Sequence, residues 1–311
     1  MPRARRTQLL IAAIALAGAL AAVLPALVLR ARVAGARPAD ATGAPGTWPG
    51  IADGAGQPPA GRTVLLLRDL SLADALAGAP LVRSADAVAG VRGGAVAALA
   101  RVGGRLVPVA AASDPGGPRA VLSVPAGGAT AAVALFDATG GAIDATALAA
   151  AVQAFKAARP DGVAVAFVSW SAADGSRTAR RAGTARTLRR AGADLILGSD
   201  PSAGPEASTS DRRWIFYGLD LGGGATLALR LVLRADDGGR PIAELRAYPI
   251  VRAGGAAPRP ATAAEYADAY WGIVTGSWGM EDRMLKRRLG LGFDDGGRHF
   301  ALGRLAAAGA R

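Results

Sequence analysis

The longest apolar run in the chain lies close to the N-terminus. Residues 9–29 contain no charged side chain over 21 consecutive positions. At about 1.5 Å per helical residue, this run matches the roughly 30 Å hydrocarbon core of a bilayer. A helix at the surface of a soluble protein is apolar on one face only, because its other face meets water. The pattern therefore predicts a transmembrane anchor or signal segment in residues 1–30.

The charges that flank this run predict its orientation. Arg3, Arg5 and Arg6 precede it, which favours a cytoplasmic N-terminus and a body on the outer side of the membrane. Arg30 and two further arginines follow it and reduce the asymmetry. A cleaved signal peptide is the alternative, with a loose cleavage site at residues 33–36. Both readings predict export; the anchor predicts a single-pass protein of the inner or cytoplasmic membrane.

A composition change marks the next segment, residues 31–62. Five prolines occur there among Gly, Ala and Asp. Such a mixture neither nucleates a helix nor buries a core, so we expect a tether between anchor and body.

Beyond the tether, short apolar runs alternate with amphipathic stretches. Runs rich in Leu and β-branched residues predict strands, and an Asp144 cap followed by a periodic stretch predicts a helix. Alternating strands and helices are typical of an α/β core. The predicted strands are 63–67, 106–110, 120–124, 130–136, 163–170 and 194–197, and the predicted helices are 144–158 and 178–191.

The C-terminal third has a different pattern. Alternating residues over 229–233, a turn at 236–239 and a second run over 242–250 predict a β-hairpin. The capping-box spacing of Thr262 and Glu265 then predicts the start of a helix. We therefore expect one domain over 63–262 and a helical extension over 263–311.

Charge and residue usage narrow the classes of function. The formal net charge of +12 favours anionic partners, and 34 of the 36 basic residues are Arg. The chain has no cysteine, which excludes disulfides, thiolate metal sites and a cysteine nucleophile. Only 5% of residues are aromatic and no nucleic-acid motif occurs, so we predict no nucleic-acid partner. The densest basic run could bind an anion or be a solvated helix face; its candidate residues are Arg177, Arg181, Arg189 and Arg190.

Four short motifs follow one another in the predicted domain. The opening strand ends in Arg68-Asp69, and a later strand ends in Ser169-Trp170. The other two motifs are longer. They are Ala191-Gly192-Ala193-Asp194, followed by a strand and Gly198-Ser199-Asp200-Pro201-Ser202, and then Ile215-Phe216-Tyr217-Gly218-Leu219-Asp220.

In this order and at this spacing the motifs resemble those of the CapA family of poly-γ-glutamate capsule biosynthesis, over roughly residues 63–262. That family is a branch of the calcineurin-like metallophosphatase fold. The resemblance implies an α/β fold with a layered αββα sandwich. The fold is expected to be truncated, because the chain between Asp69 and Gly93 is too short for two of the family's ligand-bearing loops.

The resemblance also implies where a site would lie. The family's strands end in Gly-Asp, His-Trp-Gly and Gly-His-His-Pro-His, whereas this chain keeps the carboxylate and the tryptophan but none of the histidines. Its sole histidine, His299, falls outside the motifs, and we expect an ordinary surface or partly packed residue. The residual site positions are Asp69, Ser169, Trp170, Ser199, Asp200, Ser202 and Asp220.

A pair of divalent ions about 4 Å apart needs several imidazole and carboxylate ligands. The chain offers oxygen donors only, so we expect no metal cofactor, with weak binding of Mg²⁺ or Mn²⁺ as the alternative. The aspartates at strand ends have an ordinary structural reading as well, because Asp favours local hydrogen bonds in turns.

These points predict a non-catalytic accessory protein for an anionic surface polymer such as poly-γ-glutamate. Its expected partners are the membrane, the polymer and other envelope biosynthesis proteins. A surviving hydrolase that uses only carboxylates and a purely structural partner domain are the alternatives.

Overall fold

The structure is a computed structural model. It describes residues 59–112, 117–126, 128–139, 144–170, 177–198, 207–210, 213–222, 225–252, 256–262, 265–266 and 290–305. All of them belong to one compact unit, Gly46–Arg311. The predicted anchor and most of the predicted tether lie outside the described residues. Among the residues that are described, no helix has the length and apolar character needed to cross a membrane.

The strands of the first sheet are β1 Arg62–Asp69, β2 Ala87–Arg92, β3 Ala95–Val102, β4 Arg105–Pro108, β11 Asp220–Gly222, β12 Ala225–Ala235, β13 Pro241–Val251, β14 Arg259–Pro260, β15 Gly290–Asp294 and β16 Gly297–Arg304. They run in the order β15-β16-β13-β12-β1-β2-β3-β4, with β11 paired to β12 and β14 to β13. The sheet is mainly antiparallel, and among the described strands only β1 and β2 pair in parallel.

The strands of the second sheet are β5 Ala120–Ala126, β6 Ala129–Ala138, β7 Val163–Val168, β8 Leu195–Gly198, β9 Ala207–Ser210 and β10 Arg213–Phe216. They run in the order β5-β6-β7-β8-β10-β9. The four middle strands are parallel, and β5 and β9 are antiparallel edge strands.

Three apolar clusters pack these helices and strands into four layers. The largest lies between the sheets and joins residues such as Leu66 and Leu229 of the first to Val165 of the second. A second cluster packs α3 Ala145–Ala158 and α4 Arg177–Ala191 on the outer face of the second sheet. A third packs α1 Ser71–Ala75 and α2 Pro80–Arg83 on the outer face of the first. The layer order is therefore helices, sheet, sheet, helices.

Covered sheets explain the continuous apolar strands in the sequence. All six residues of β7 are buried, and in β1 the four residues from Val64 to Leu67 are fully buried. Strands with packing on both faces are usually apolar at consecutive positions. The predicted mixed α/β architecture is confirmed at this level.

Most predicted elements are present with shifted ends. The strand predicted over 163–170 ends at Val168. Asp144 caps α3 as predicted, accepting hydrogen bonds from the backbone N–H groups of Thr146 and Ala147 at 3.0 Å. The C-terminal hairpin is β12 and β13, paired over eleven residues each. The Thr262 hydroxyl and N–H both donate to Glu265, so the capping-box contact is also present.

Two parts of the prediction are wrong. The extension over 263–311 is not helical throughout, because β15 and β16 form a hairpin that joins the first sheet. The hairpin of β2 and β3 was missed; it turns at Gly93 and Gly94, whose φ angles of 60° and 81° lie in the left-handed region that glycine tolerates. Alanine-rich strands lack the bulky β-branched signal on which the predictions relied.

Candidate functional site

The carboxyl ends of the central strands of both sheets meet at one edge. Asp137, at the end of β6, accepts a hydrogen bond from the backbone N–H of Val96 in β3 at 2.9 Å. One residue further along, Ala138 accepts from the N–H of Ser169, directly after β7. In the first sheet Val91 pairs with Asp69 and with Val96. Asp69, Asp137 and Ser169 therefore line a common edge, which we call the carboxyl edge.

A second set of contacts closes the same edge. The guanidinium of Arg68 is ion-paired with Asp220, which joins the end of β1 to β11. Three residues before Asp220, the ring of Tyr217 packs against Trp170 with centroids 5.9 Å apart. Four of the predicted site residues, Asp69, Ser169, Trp170 and Asp220, thus lie along one edge, as the carboxyl ends of parallel strands do in open α/β sheets.

Arg68 directly precedes Asp69 at the end of β1, and its charge is paired within the protein. Both side chains of the Arg68–Asp220 pair are partly exposed, at 32% and 27%. A carboxylate paired with a guanidinium has its negative charge compensated at close range. Asp220 is therefore matched by a cation that the chain itself carries.

Asp69 has a local role. One oxygen of its carboxylate accepts a hydrogen bond from the backbone N–H of Ser71 at 2.8 Å, at the start of α1. Such Asx contacts are the ordinary use of aspartate where a strand enters a turn. This contact is the local hydrogen bonding that was predicted as the ordinary role of an aspartate at a strand end.

Among the predicted site residues that the structure describes, Trp170 is the most enclosed, with 7% of its surface exposed. Its indole lies directly over Gly198, where a Cβ added to the glycine would come within 1.9 Å of the indole nitrogen. The backbone oxygen of Tyr217 would be 2.3 Å from the same Cβ. Only glycine fits at this position, so the Trp and Gly of the motifs form one packing unit.

Three predicted site residues, Ser199, Asp200 and Ser202, lie outside the described residues. Asp137 was not predicted, although it directly follows the predicted strand 130–136. Besides Val96 it accepts hydrogen bonds from the backbone N–H of Thr139 at 2.9 Å and from its hydroxyl at 2.6 Å. Within the described part of the chain, no three His, Asp or Glu side chains converge as metal ligands.

The predicted anion-binding residues belong to α4. This helix begins at Arg177 and contains six arginines and no acidic residue among its 15 positions. Arg186 and Arg190 are exposed, and Arg181 and Arg189 are half-buried. The backbone oxygen of Arg189 accepts from Arg213 at 3.1 Å, which ties the end of the helix to β10.

A buried charge pair anchors the opposite end of the second sheet. The ammonium of Lys156 donates to Asp194 at 3.0 Å and to the backbone oxygen of Gly162 at 2.7 Å. Asp194 also accepts from the N–H of Ala164 at 2.9 Å. Burial raises the pKa of Asp194, while Lys156 opposes that rise. The aspartate of the Ala-Gly-Ala-Asp motif therefore holds α3, β7 and β8 together.

A second polar cluster, which sequence reasoning missed, lies on the outer face of the first sheet. Asp294 accepts hydrogen bonds from Arg246 at 2.6 Å, from the backbone N–H of Gly296 at 2.8 Å and from the hydroxyl of Tyr248. Arg230, fully buried, donates to Asp295 at 2.9 Å. Arg230 alternates with the leucines of β12, and its contacts with Leu81 and Ser84 place it under α2.

His299 belongs to this cluster, and the expectation of a surface or partly packed residue is wrong. It is only 4% exposed, packs against the Tyr248 ring, and has Nδ1 at 3.6 Å from Asp294. Burial lowers its pKa to about 4, although Asp294 opposes the shift. The residue lies three strands from β1, on the face turned away from the second sheet. It is therefore no part of the carboxyl edge.

No protein-family model matches this chain, and no curated protein matches it significantly.

Proposed function

We propose that this chain is a membrane-anchored, CapA-like accessory protein of an anionic surface polymer, built on a truncated calcineurin-like sandwich and without metallophosphatase activity. Its body acts on the outer side of the membrane, where it contributes to making, exporting or attaching the polymer. The proposal rests on the motif order in the sequence and on the layer order of helices, sheet, sheet and helices.

The ion pair between Arg68 and Asp220 carries the non-catalytic part of the proposal. A metallophosphatase needs carboxylates at its strand ends to compensate two divalent cations. Here the side chain that replaces the motif glycine supplies a guanidinium to one of those carboxylates. The second carboxylate, Asp69, accepts a hydrogen bond from the backbone N–H of Ser71 at the start of α1. Both groups therefore have structural partners within the chain.

Metal analysis and a phosphoesterase assay test this part. The full-length protein in mild detergent is expected to retain less than one equivalent of Mn²⁺, Zn²⁺ or Fe after dialysis. It is also expected to hydrolyse phosphate esters no faster with added Mg²⁺ or Mn²⁺ than without. Two tightly bound transition ions per chain, or a rate that Asp69→Asn abolishes, would establish the hydrolase instead.

Gene deletion tests the biological part. Loss of the protein is expected to reduce the amount or the attachment of an acidic envelope polymer, and an Asp69→Asn allele is expected to restore it. An unaltered envelope polymer in the deletion strain would disprove the accessory role. Accessibility of an engineered cysteine in the body to an impermeant label on intact cells checks its location.

A further inference from the structure

The two helices that cover the outer face of the second sheet, α3 and α4, contain basic residues and no acidic ones. The 14 residues of α3 and the 15 residues of α4 include no Asp or Glu. The single basic residue of α3, Lys156, is buried against Asp194. Within the two helices the exposed charge therefore comes from the arginines of α4, and the exposed carboxylates of Asp144 and Asp161 lie just before and just after α3.

Two of these arginines are neighbours on the solvent-exposed face of α4. Arg186 and Arg190 are both exposed and lie one helical turn apart, on the same face of α4. Like charges at this spacing destabilise a helix slightly. Neither guanidinium has a carboxylate partner among the described residues, so both keep their full set of donors for a ligand.

The surface beside them restricts what that ligand can be. α3 lies next to α4 and presents Ala150, Gln153, Ala154 and Ala157 to solvent. A helix that binds a bilayer surface inserts Trp, Phe or Leu, and single-stranded nucleic acid stacks on aromatic rings. The described exposed positions of both helices offer neither. They offer small and uncharged polar side chains on α3 and guanidinium groups on α4.

We infer that the exposed face of α3 and α4 binds a flexible polycarboxylate through the guanidinium groups of Arg186 and Arg190. Guanidinium groups accept carboxylates in a bidentate geometry, and a flexible chain can bring successive carboxylates to both. This inference rests on the proposed function and names the surface that the polymer contacts.

Binding of fluorescein-labelled poly-glutamate to the full-length protein, followed by anisotropy over a salt series, tests the inference. The variant Arg186→Gln/Arg190→Gln is expected to bind about fivefold or more weakly at low salt. The dependence of log affinity on log salt should also become shallower by about one to two units, since two fewer cations contact the polymer. Gln is a comparable helix former and removes the repulsion between the two arginines, so the thermal unfolding midpoint is expected to stay unchanged or to rise slightly.

Arg105→Gln/Arg119→Gln is the matched control. It removes the same charge from exposed arginines of other elements and is expected to change affinity by less than about twofold, as distant exposed charges are screened. Equal losses in the two variants, or no binding by the wild type, would overturn the inference. So would tighter binding to phosphatidylglycerol vesicles or duplex DNA than to poly-glutamate at equal salt.

Complementation separates this inference from the proposed function. If deletion changes the envelope polymer and the Arg186→Gln/Arg190→Gln allele restores it fully, the function stands and the assigned surface is wrong. If deletion changes nothing, the proposed function itself fails, whatever the binding measurements give.

Discussion

The guanidinium of Arg68, the last but one residue of β1, is ion-paired with the carboxylate of Asp220 at the start of β11. A glycine at position 68 has no side chain and could not make this contact. The charge of Asp220 is therefore compensated by a side chain of the same protein.

The strength of this pair can be measured by a double-mutant cycle with Arg68→Ala and Asp220→Asn. Because both groups are partly exposed, we expect a coupling of about 0.5 to 1 kcal/mol in urea unfolding. The exposed pair of Arg92 and Asp74 is the control, and its coupling is expected to stay below about 0.5 kcal/mol. Equal couplings would show that the pair at the carboxyl edge is no more than a surface contact.

Removing Asp294 should destabilise the protein strongly. The substitution Asp294→Ala leaves buried Arg230 and partly buried Arg246 near an empty acceptor position, at a cost of about 3 kcal/mol. Urea unfolding measures this loss against Asp161→Ala, an exposed carboxylate expected to change stability by less than about 0.5 kcal/mol. A loss below about 1 kcal/mol for Asp294→Ala would mean that the cluster contributes little.

The buried histidine predicts a dependence of stability on pH. The pKa of His299 is about 4 when folded, against 6.5 for a free histidine, so the unfolded chain binds more protons between these values. The free energy of unfolding therefore falls as the pH drops from 6.5 towards 4, by up to about 3 kcal/mol from this residue.

His299→Asn removes this contribution, while the carboxylates titrate as before. The difference in unfolding free energy between wild type and variant is therefore expected to be constant above pH 6.5 and to shrink or reverse below it. Parallel curves for the two proteins from about pH 7 to about pH 4 would show that the pKa of His299 is not lowered by burial.

At two glycines, we expect substitution by alanine to have opposite effects on the free energy of unfolding. Gly198→Ala places a Cβ 1.9 Å from the Trp170 indole nitrogen, so it is expected to cost about 2 kcal/mol or more and to shift tryptophan fluorescence. Gly183→Ala lies within α4, where a Cβ meets nothing within 4 Å, and is expected to stabilise the protein by about 0.5 to 1 kcal/mol. Similar effects at the two sites would contradict the close packing of Trp170 on Gly198.

Much of the fold was predictable because local pattern and burial coincide. Strands covered on both faces, such as β1 and β7, are continuously apolar, and Asp144 marks the start of α3 by its capping chemistry. The hairpin of β12 and β13 follows from its alternation and its Asp-Asp-Gly-Gly turn. The hairpin of β2 and β3 was missed because alanine carries no strand signal, although Gly93 and Gly94 marked its turn.

The candidate site was predicted by position more than by chemistry. The motif resemblance identified Asp69, Ser169, Trp170 and Asp220, and the structure places them along one edge. Asp220 lies 152 residues after Arg68 in the chain. The two residues meet because β11 pairs with β12 and β12 pairs with β1. Long-range pairing of this kind leaves no periodic trace in the sequence.

The sequence by itself determined the apolar run of residues 9–29, the basic charge, the absence of cysteine and the presence of a single imidazole. It also determined which strands had to be covered, because their side chains are apolar on both faces. Only the tertiary structure decided the partners of charged residues. Arg230 and His299 are polar in any sequence reading, yet folding buries both, since the free energy of burial depends on which charges and hydrogen-bond partners come within reach.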